Sequence, residues 1–122
     1  MDPPSSCSVT VLNESRRRVR TRFLKHAIGV ALSLHDVAEA EVCLLLTSDD
    51  RVRELNRTFR TLDEPTDVLT FPSGDGASGD VAIAVPYAEK QAALRGVTLE
   101  QELGYLAIHG TLHLAGLDDE TE

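Results

Sequence analysis

The 122 residues contain no tryptophan, two tyrosines and three phenylalanines. A core must therefore be assembled from Leu, Val, Ile and Ala. Cysteine is scarce too. Cys7 and Cys43 stand alone, which excludes a disulfide framework and a zinc cluster built from thiolates. Cys43 sits inside the apolar run EVCLLL and reads as a thiol buried in a strand, whereas Cys7 lies near the N-terminus. No apolar run approaches the roughly 18–20 residues that span a bilayer, so no membrane partner is expected. The opening MDPPSSCSVT has neither a basic start nor an apolar stretch, so no secretory signal is expected and the cytoplasm is the expected compartment. Positive charge is in deficit: 12 Lys and Arg face 20 Asp and Glu, a net charge of −8. That excludes a protein that coats nucleic acid through bulk charge.

What is present describes an ordinary folded protein. The composition is 42% hydrophobic and 26% charged, too apolar for a disordered chain. The length suits one domain over residues 1–122. Charge is unevenly spread. Residues 1–60 hold ten Lys and Arg against eight Asp and Glu, and residues 61–122 hold two against twelve. Six of the basic residues fall between Arg16 and Lys25.

The pattern of the chain predicts the order β-α-β-α-β-β-α-α. Val9–Leu12 reads as a strand. A helix from about Ser15 to Leu34 turns Val19, Phe23, Ala27, Val30 and Leu34 inward at spacings of three and four. Arg18, Arg22 and Lys25 fall on its other face, which reads as a solvated surface that RNA phosphates can also meet. Glu41–Leu46 is the second strand. The segment TSDD then caps a helix that carries Val52, Leu55 and Phe59 inward and ends near Arg60. After the turn TLDEPTD come strands at Asp67–Phe71 and Asp80–Val85, separated by the loop SGDGASG. Pro86 opens a helix that ends at Gly96. Thr98 and Gln101 form a capping box for a last helix, which runs to Ala115 and stops at Gly116. The expected fold is α+β, a mixed four-stranded sheet with helices and a metal site at the end of the last helix.

That last helix carries the chemistry. His109 and His113 are four residues apart, so both imidazoles project from one helical face and can share a metal. Gly116 lets the chain turn back, and Asp119 can then approach the same ion. Two histidines and one carboxylate leave positions open for water and substrate, as a catalytic metal requires. Glu102 and Tyr105 lie on the same face, where either can steady an imidazole; an ordinary surface acid and a packed tyrosine are the plainer reading. His26 and His35 stand alone and are assigned no role. Position 110 is Gly, so the segment lacks the glutamate that serves as general base in HExxH peptidases.

The segment from His109 to Asp119, HGTLHLAGLDD, resembles the HGxLHLxGYDH signature of the YbeY family of bacterial metal-dependent endoribonucleases. Leu55–Arg60 (LNRTFR) leading to Pro65–Pro72 (PTDVLTFP) is similar to the family's LNxxFRxxDxPTDVLSFP, and Gly79–Ile83 (GDVAI) resembles its GDIxI strand. The resemblance implies an RNA hydrolase of ribosomal RNA maturation, notably at the 3′ end of small-subunit RNA, and of ribosome quality control. It implies one zinc-like ion held by the signature's three histidines, and a functional arginine that maps onto Arg60. Ribosomal RNA is the implied partner, with the ribosome or its proteins beside it. Two departures stand out. The third histidine is replaced by Asp119, with Asp118 as an alternative ligand, and family members usually continue into a further helical tail beyond the position of Glu122. The rival readings are a metal-dependent amide or peptide hydrolase, and a ribosome-associated module whose metal is only structural.

Overall fold

A computed structural model describes residues 7–60, 67–74 and 76–117, except for the side chain of Arg60. The elements are β1 (Cys7–Asn13), α1 (Thr21–Leu34), β2 (Ala40–Thr47), α2 (Asp49–Arg60), β3 (Val68–Pro72), β4 (Gly79–Ala84), α3 (Val85–Arg95) and α4 (Leu99–Leu114). Their order is the one the sequence predicts. The four strands form one mixed sheet in the order β1-β2-β4-β3. The first three are parallel, and β3 runs antiparallel to β4 as an edge strand.

Alternation along the strands divides the interior between two faces. Val42, Leu44 and Leu46 of β2 and Val81 and Ile83 of β4 meet Leu24, Ile28 and Leu32 of α1 and Leu103, Leu106, Ala107 and Leu114 of α4. On the opposite face Leu69, Ala82 and Ala84 pack under Val52 of α2. The larger cluster is the core proper, and it is almost wholly aliphatic. No helix among the described residues is long and apolar enough to cross a membrane.

Three expectations need correction. Helix α1 starts at Thr21, not Ser15. The Asn13 side chain accepts hydrogen bonds from the Ser15 amide (2.9 Å) and hydroxyl (2.6 Å) and donates to the Arg17 carbonyl (2.8 Å). Arg16 is held at φ +68°, so this turn wins over the helix. The buried face of α1 is Leu24, Ile28, Ala31 and Leu32, one residue out of phase with the predicted stripe, and Phe23 and Leu34 are exposed. Residues 21–34 are apolar on more than one face, so periodicity alone could not set the phase. Phe59 is 66% exposed rather than inward, and meets Phe71 edge-on at 5.6 Å.

Smaller differences also have local causes. Cys43 is only half-buried, because it points to the sheet face that α2 leaves partly open; burial, with help from the Asp80 carboxylate, raises its thiol pKa. Cys7 lies within β1. Ser48 caps α2 by accepting from the Arg51 amide at 3.1 Å, while the Asp49 carboxylate accepts from the Tyr87 amide at 2.9 Å and ties α2 to the start of α3. Residues 61–66, the predicted TLDEPT portion of the turn, and Asp75 of the predicted loop lie outside the described residues.

Candidate metal centre and active site

Helix α4 is anchored at both ends. At its start the Gln101 amide donates to Thr98 Oγ1 (3.0 Å) and the Thr98 amide donates to Gln101 Oε1 (2.9 Å), the predicted capping box. At its end the Gly116 amide donates to the His113 carbonyl (3.0 Å) and the Leu117 amide to the Leu112 carbonyl (2.8 Å). This pair of bonds is a Schellman closure, with Gly116 at φ +76°. It ends the helix at Leu114, with Gly116 as the stop that the sequence predicts.

Glycine sets the distance between this helix and the sheet. A Cβ on Gly110 would lie 2.7 Å from Cγ1 of Val81 and 3.4 Å from Cγ2 of Thr70. A Cβ on Gly79 would lie 2.5 Å from the Phe71 carbonyl oxygen and 2.8 Å from Cδ2 of Leu114. Both close approaches need a residue without a side chain. Gly79 opens β4 and Gly110 belongs to the histidine segment, so these two motifs are packed against one another. Position 110 thus seats the helix on the sheet, and the glutamate of a zincin has no room there. That geometry counts against the peptide-hydrolase reading.

With the helix so seated, His109 and His113 are both exposed at the border of β3. They line a cleft of about 140 Å³ together with Val68, Leu69, Thr70 and Gly110. Their ring centroids are 5.3 Å apart with the planes at 60°. Two imidazoles bonded to one tetrahedral ion at about 2.0–2.1 Å have ring centres roughly 5 Å apart. The pair therefore fits a shared divalent ion in both donor type and spacing. Among the described residues, no third His, Cys, Asp or Glu joins them to complete a cluster. Asp119 and its alternative Asp118 lie outside the described residues, and the Arg60 side chain does too, although its backbone ends α2.

The flanking residues differ from the plainer reading of each. Glu102 is not a surface acid: it is 2% exposed, with Oε1 at 3.6 Å from Nη1 of Arg95. Its Oε2 has no hydrogen-bond partner among the described residues. Tyr105 is not packed in the core: it is 53% exposed and stacks on His109, centroid to centroid 6.0 Å at 16°. Arg95 lies over the Tyr105 ring at 5.4 Å. Sequence reasoning missed Arg95, the β3 wall at Val68–Thr70, and the packing roles of Gly79 and Gly110. The glycines and the β3 wall were visible as parts of the quoted motifs; Arg95 carried no signal. Of the basic segment, Arg17 pairs with Glu89 at 2.8 Å and Arg20 with Glu100 at 3.5 Å, so part of that charge holds helices together.

Comparison with known proteins agrees with the motifs. The family profile described as Endoribonuclease YbeY matches residues 10–122. The chain is 43% identical over 113 residues to the Endoribonuclease YbeY of Moorella thermoacetica, covering 80% of this chain and 72% of that protein. It is 40% identical over 111 residues to that of Sulfurihydrogenibium sp., covering 86% and 73%. A Thermotoga maritima protein solved in solution superimposes with a TM-score of 0.66 at 34% identity, over 93% of this chain and 76% of that one. A fold shared with that protein, three ordered motifs and a profile match over nearly the whole chain lead to one assignment: this protein belongs to the YbeY family of endoribonucleases.

Proposed function

We propose that this protein is a metal-dependent endoribonuclease that cuts single-stranded ribosomal RNA in the cytoplasm, acting in maturation of the small-subunit RNA 3′ end and in ribosome quality control. The observation that carries the reading is the pair of exposed imidazoles one helical turn apart, 5.3 Å between ring centres, at the β3 cleft. His109 and His113 would hold one zinc-like divalent ion, with Asp119 as the third ligand and Asp118 as the alternative. When bound, the ion supplies Lewis acidity to a phosphoryl oxygen and a more acidic water.

The remaining work falls to the chain itself. Gly110 and Gly79 fix how far the imidazoles stand from β3. Arg60 is the last residue of the helix that packs on the opposite face of β3 and β4, and its guanidinium is assigned to the phosphate, where a planar fork can hold two oxygens and offset charge that develops during cleavage. Val68, Leu69 and Thr70 wall the cleft on one side. The product identifies the nucleophile: a 2′,3′-cyclic phosphate shows that the ribose hydroxyl attacks, and a linear phosphate shows that water does.

The test combines metal analysis of protein purified without added metal with cleavage of a single-stranded RNA that carries the small-subunit 3′ end. Bound metal and cleavage that disappear together on chelation, and return together with zinc, support the reading. A protein that binds the ion through a fourth protein ligand and cleaves nothing would support the structural-metal module instead.

A further inference from the structure

Four residues spaced one turn apart, Gln101, Tyr105, His109 and His113, form the solvent-facing stripe of α4. Gln101 is committed to the capping box. Tyr105 has no such duty, and its neighbours Leu103, Gly104, Leu106 and Ala107 are all buried. It nevertheless stands in solvent, near-parallel to His109, with a guanidinium over it. That guanidinium does not drift freely. The buried Glu102 carboxylate reaches Arg95 from beneath, at 3.6 Å. Arg95, Tyr105 and His109 therefore make a row of flat groups that leads directly to the candidate metal centre.

The geometry points to Tyr105, flanked by Arg95, as a stacking platform for a base of the RNA strand beside the cleaved phosphate. This rests on the ribonuclease reading above and adds a binding subsite to it. A half-exposed aromatic ring next to a guanidinium and an imidazole offers flat groups on which, or between which, unpaired bases stack with little regard to sequence. Charge is compatible with the same occupant. Arg17 reaches Glu89 of α3 and Arg20 reaches Glu100 of α4, so the basic segment before and within α1 borders the same two helices and can meet the phosphates of a strand whose base stacks at Tyr105. A protein partner would find there a narrow stripe interrupted by polar groups.

The test uses the whole protein and a short single-stranded oligoribonucleotide that carries 2-aminopurine at one position, moved stepwise along the strand. Stacking should quench the fluorescence at one position next to the cleavage point. Tyr105→Ala should abolish that quench, weaken binding by roughly 5- to 100-fold, and place its kinetic loss on KM rather than on kcat. Tyr105→Phe, which keeps the ring, should restore the quench and the affinity. Leu94→Ala, on the exposed side of α3, is the control. Affinity for zinc, measured by chelator competition, should be the same in Tyr105→Ala as in the wild type.

Wild-type cleavage with unaltered RNA affinity, quench and KM in Tyr105→Ala overturns the platform and leaves the ribonuclease reading standing. Loss of zinc affinity in Tyr105→Ala, with unchanged RNA binding by the metal-free protein, also overturns it, since Tyr105 would then act only by positioning His109. A wild-type protein that neither binds nor cleaves RNA overturns both.

Discussion

Two imidazoles one helical turn apart can bind a metal, but they do not say what completes its coordination. The family signature places a neutral histidine where this chain has Asp119. A carboxylate there would neutralise part of the ion's charge and leave its water less acidic than three histidines would. Asp119→Ala should therefore weaken metal binding substantially, and Asp119→His should retain the metal and lower the pKa of bound water. Asp118→Ala, a neighbour of equal charge, should matter less. Chelator competition on the three variants decides it: loss of metal in Asp118→Ala with retention in Asp119→Ala would move the ligand by one residue. Arg60 is open to a similarly sharp test. Arg60→Lys keeps the charge and loses the fork, so cleavage should fall while stability, followed by urea unfolding, changes little. A folded Arg60→Ala protein with full ribonuclease activity would remove the residue from the mechanism.

At the scale of the element, α4 positions the two candidate metal ligands, His109 and His113. Its cap, its Schellman end and its glycine contact with β4 each act on a different part of the same rod. Thr98→Ala removes one half of the capping box and should cost about 1 kcal/mol. Gly110→Ala forces a methyl group to within 2.7 Å of Val81. It should destabilise the fold by about 1–3 kcal/mol, as overpacking does, and lower cleavage because the imidazoles move away from β3. Urea unfolding and a cleavage assay on the same preparation check both effects; an unchanged midpoint would mean that the helix can shift at no cost. The caps were legible in the sequence because capping is local: Thr98 and Gln101, Pro86, and Gly116 each act within a few residues. The start and phase of α1 were not. The Asn13 side chain directs its hydrogen bonds to Ser15 and Arg17 and delays the helix, and packing against α4 and the sheet buries Leu24 and Ile28 fully while Phe23 and Ala27 stay at the margin. The site divides in the same way. Histidine spacing could be read directly, whereas the burial of Glu102 and the reach of Arg95 to Tyr105 depend on how α3 and α4 meet in space.

Over the whole molecule, a three-strand parallel core with one antiparallel edge strand puts β3 beside α4, and the candidate site lies along that edge. The strand order β1-β2-β4-β3 brings the DVLTFP strand and the GDVAI strand together, and Gly79 and Gly110 then bring the histidine helix onto both. The DVLTFP strand and the histidine segment line the cleft, and the GDVAI strand backs it through Val81 under Gly110. The acidic second half supplies the candidate ligands, while most of the basic residues lie in the first half. A central role for the imidazole pair predicts that metal and cleavage rise and fall as one quantity. The direct measurement is the cleavage rate of a single-stranded RNA plotted against bound metal per chain, from chelated protein through stepwise addition of zinc, for the wild type and for His109→Ala with His113→Ala. The expected result is a rate that climbs linearly and levels off at about one ion per chain, with no metal retained and no cleavage in the double variant. Cleavage by metal-free protein, or a double variant that still binds an ion and cuts RNA, would contradict it.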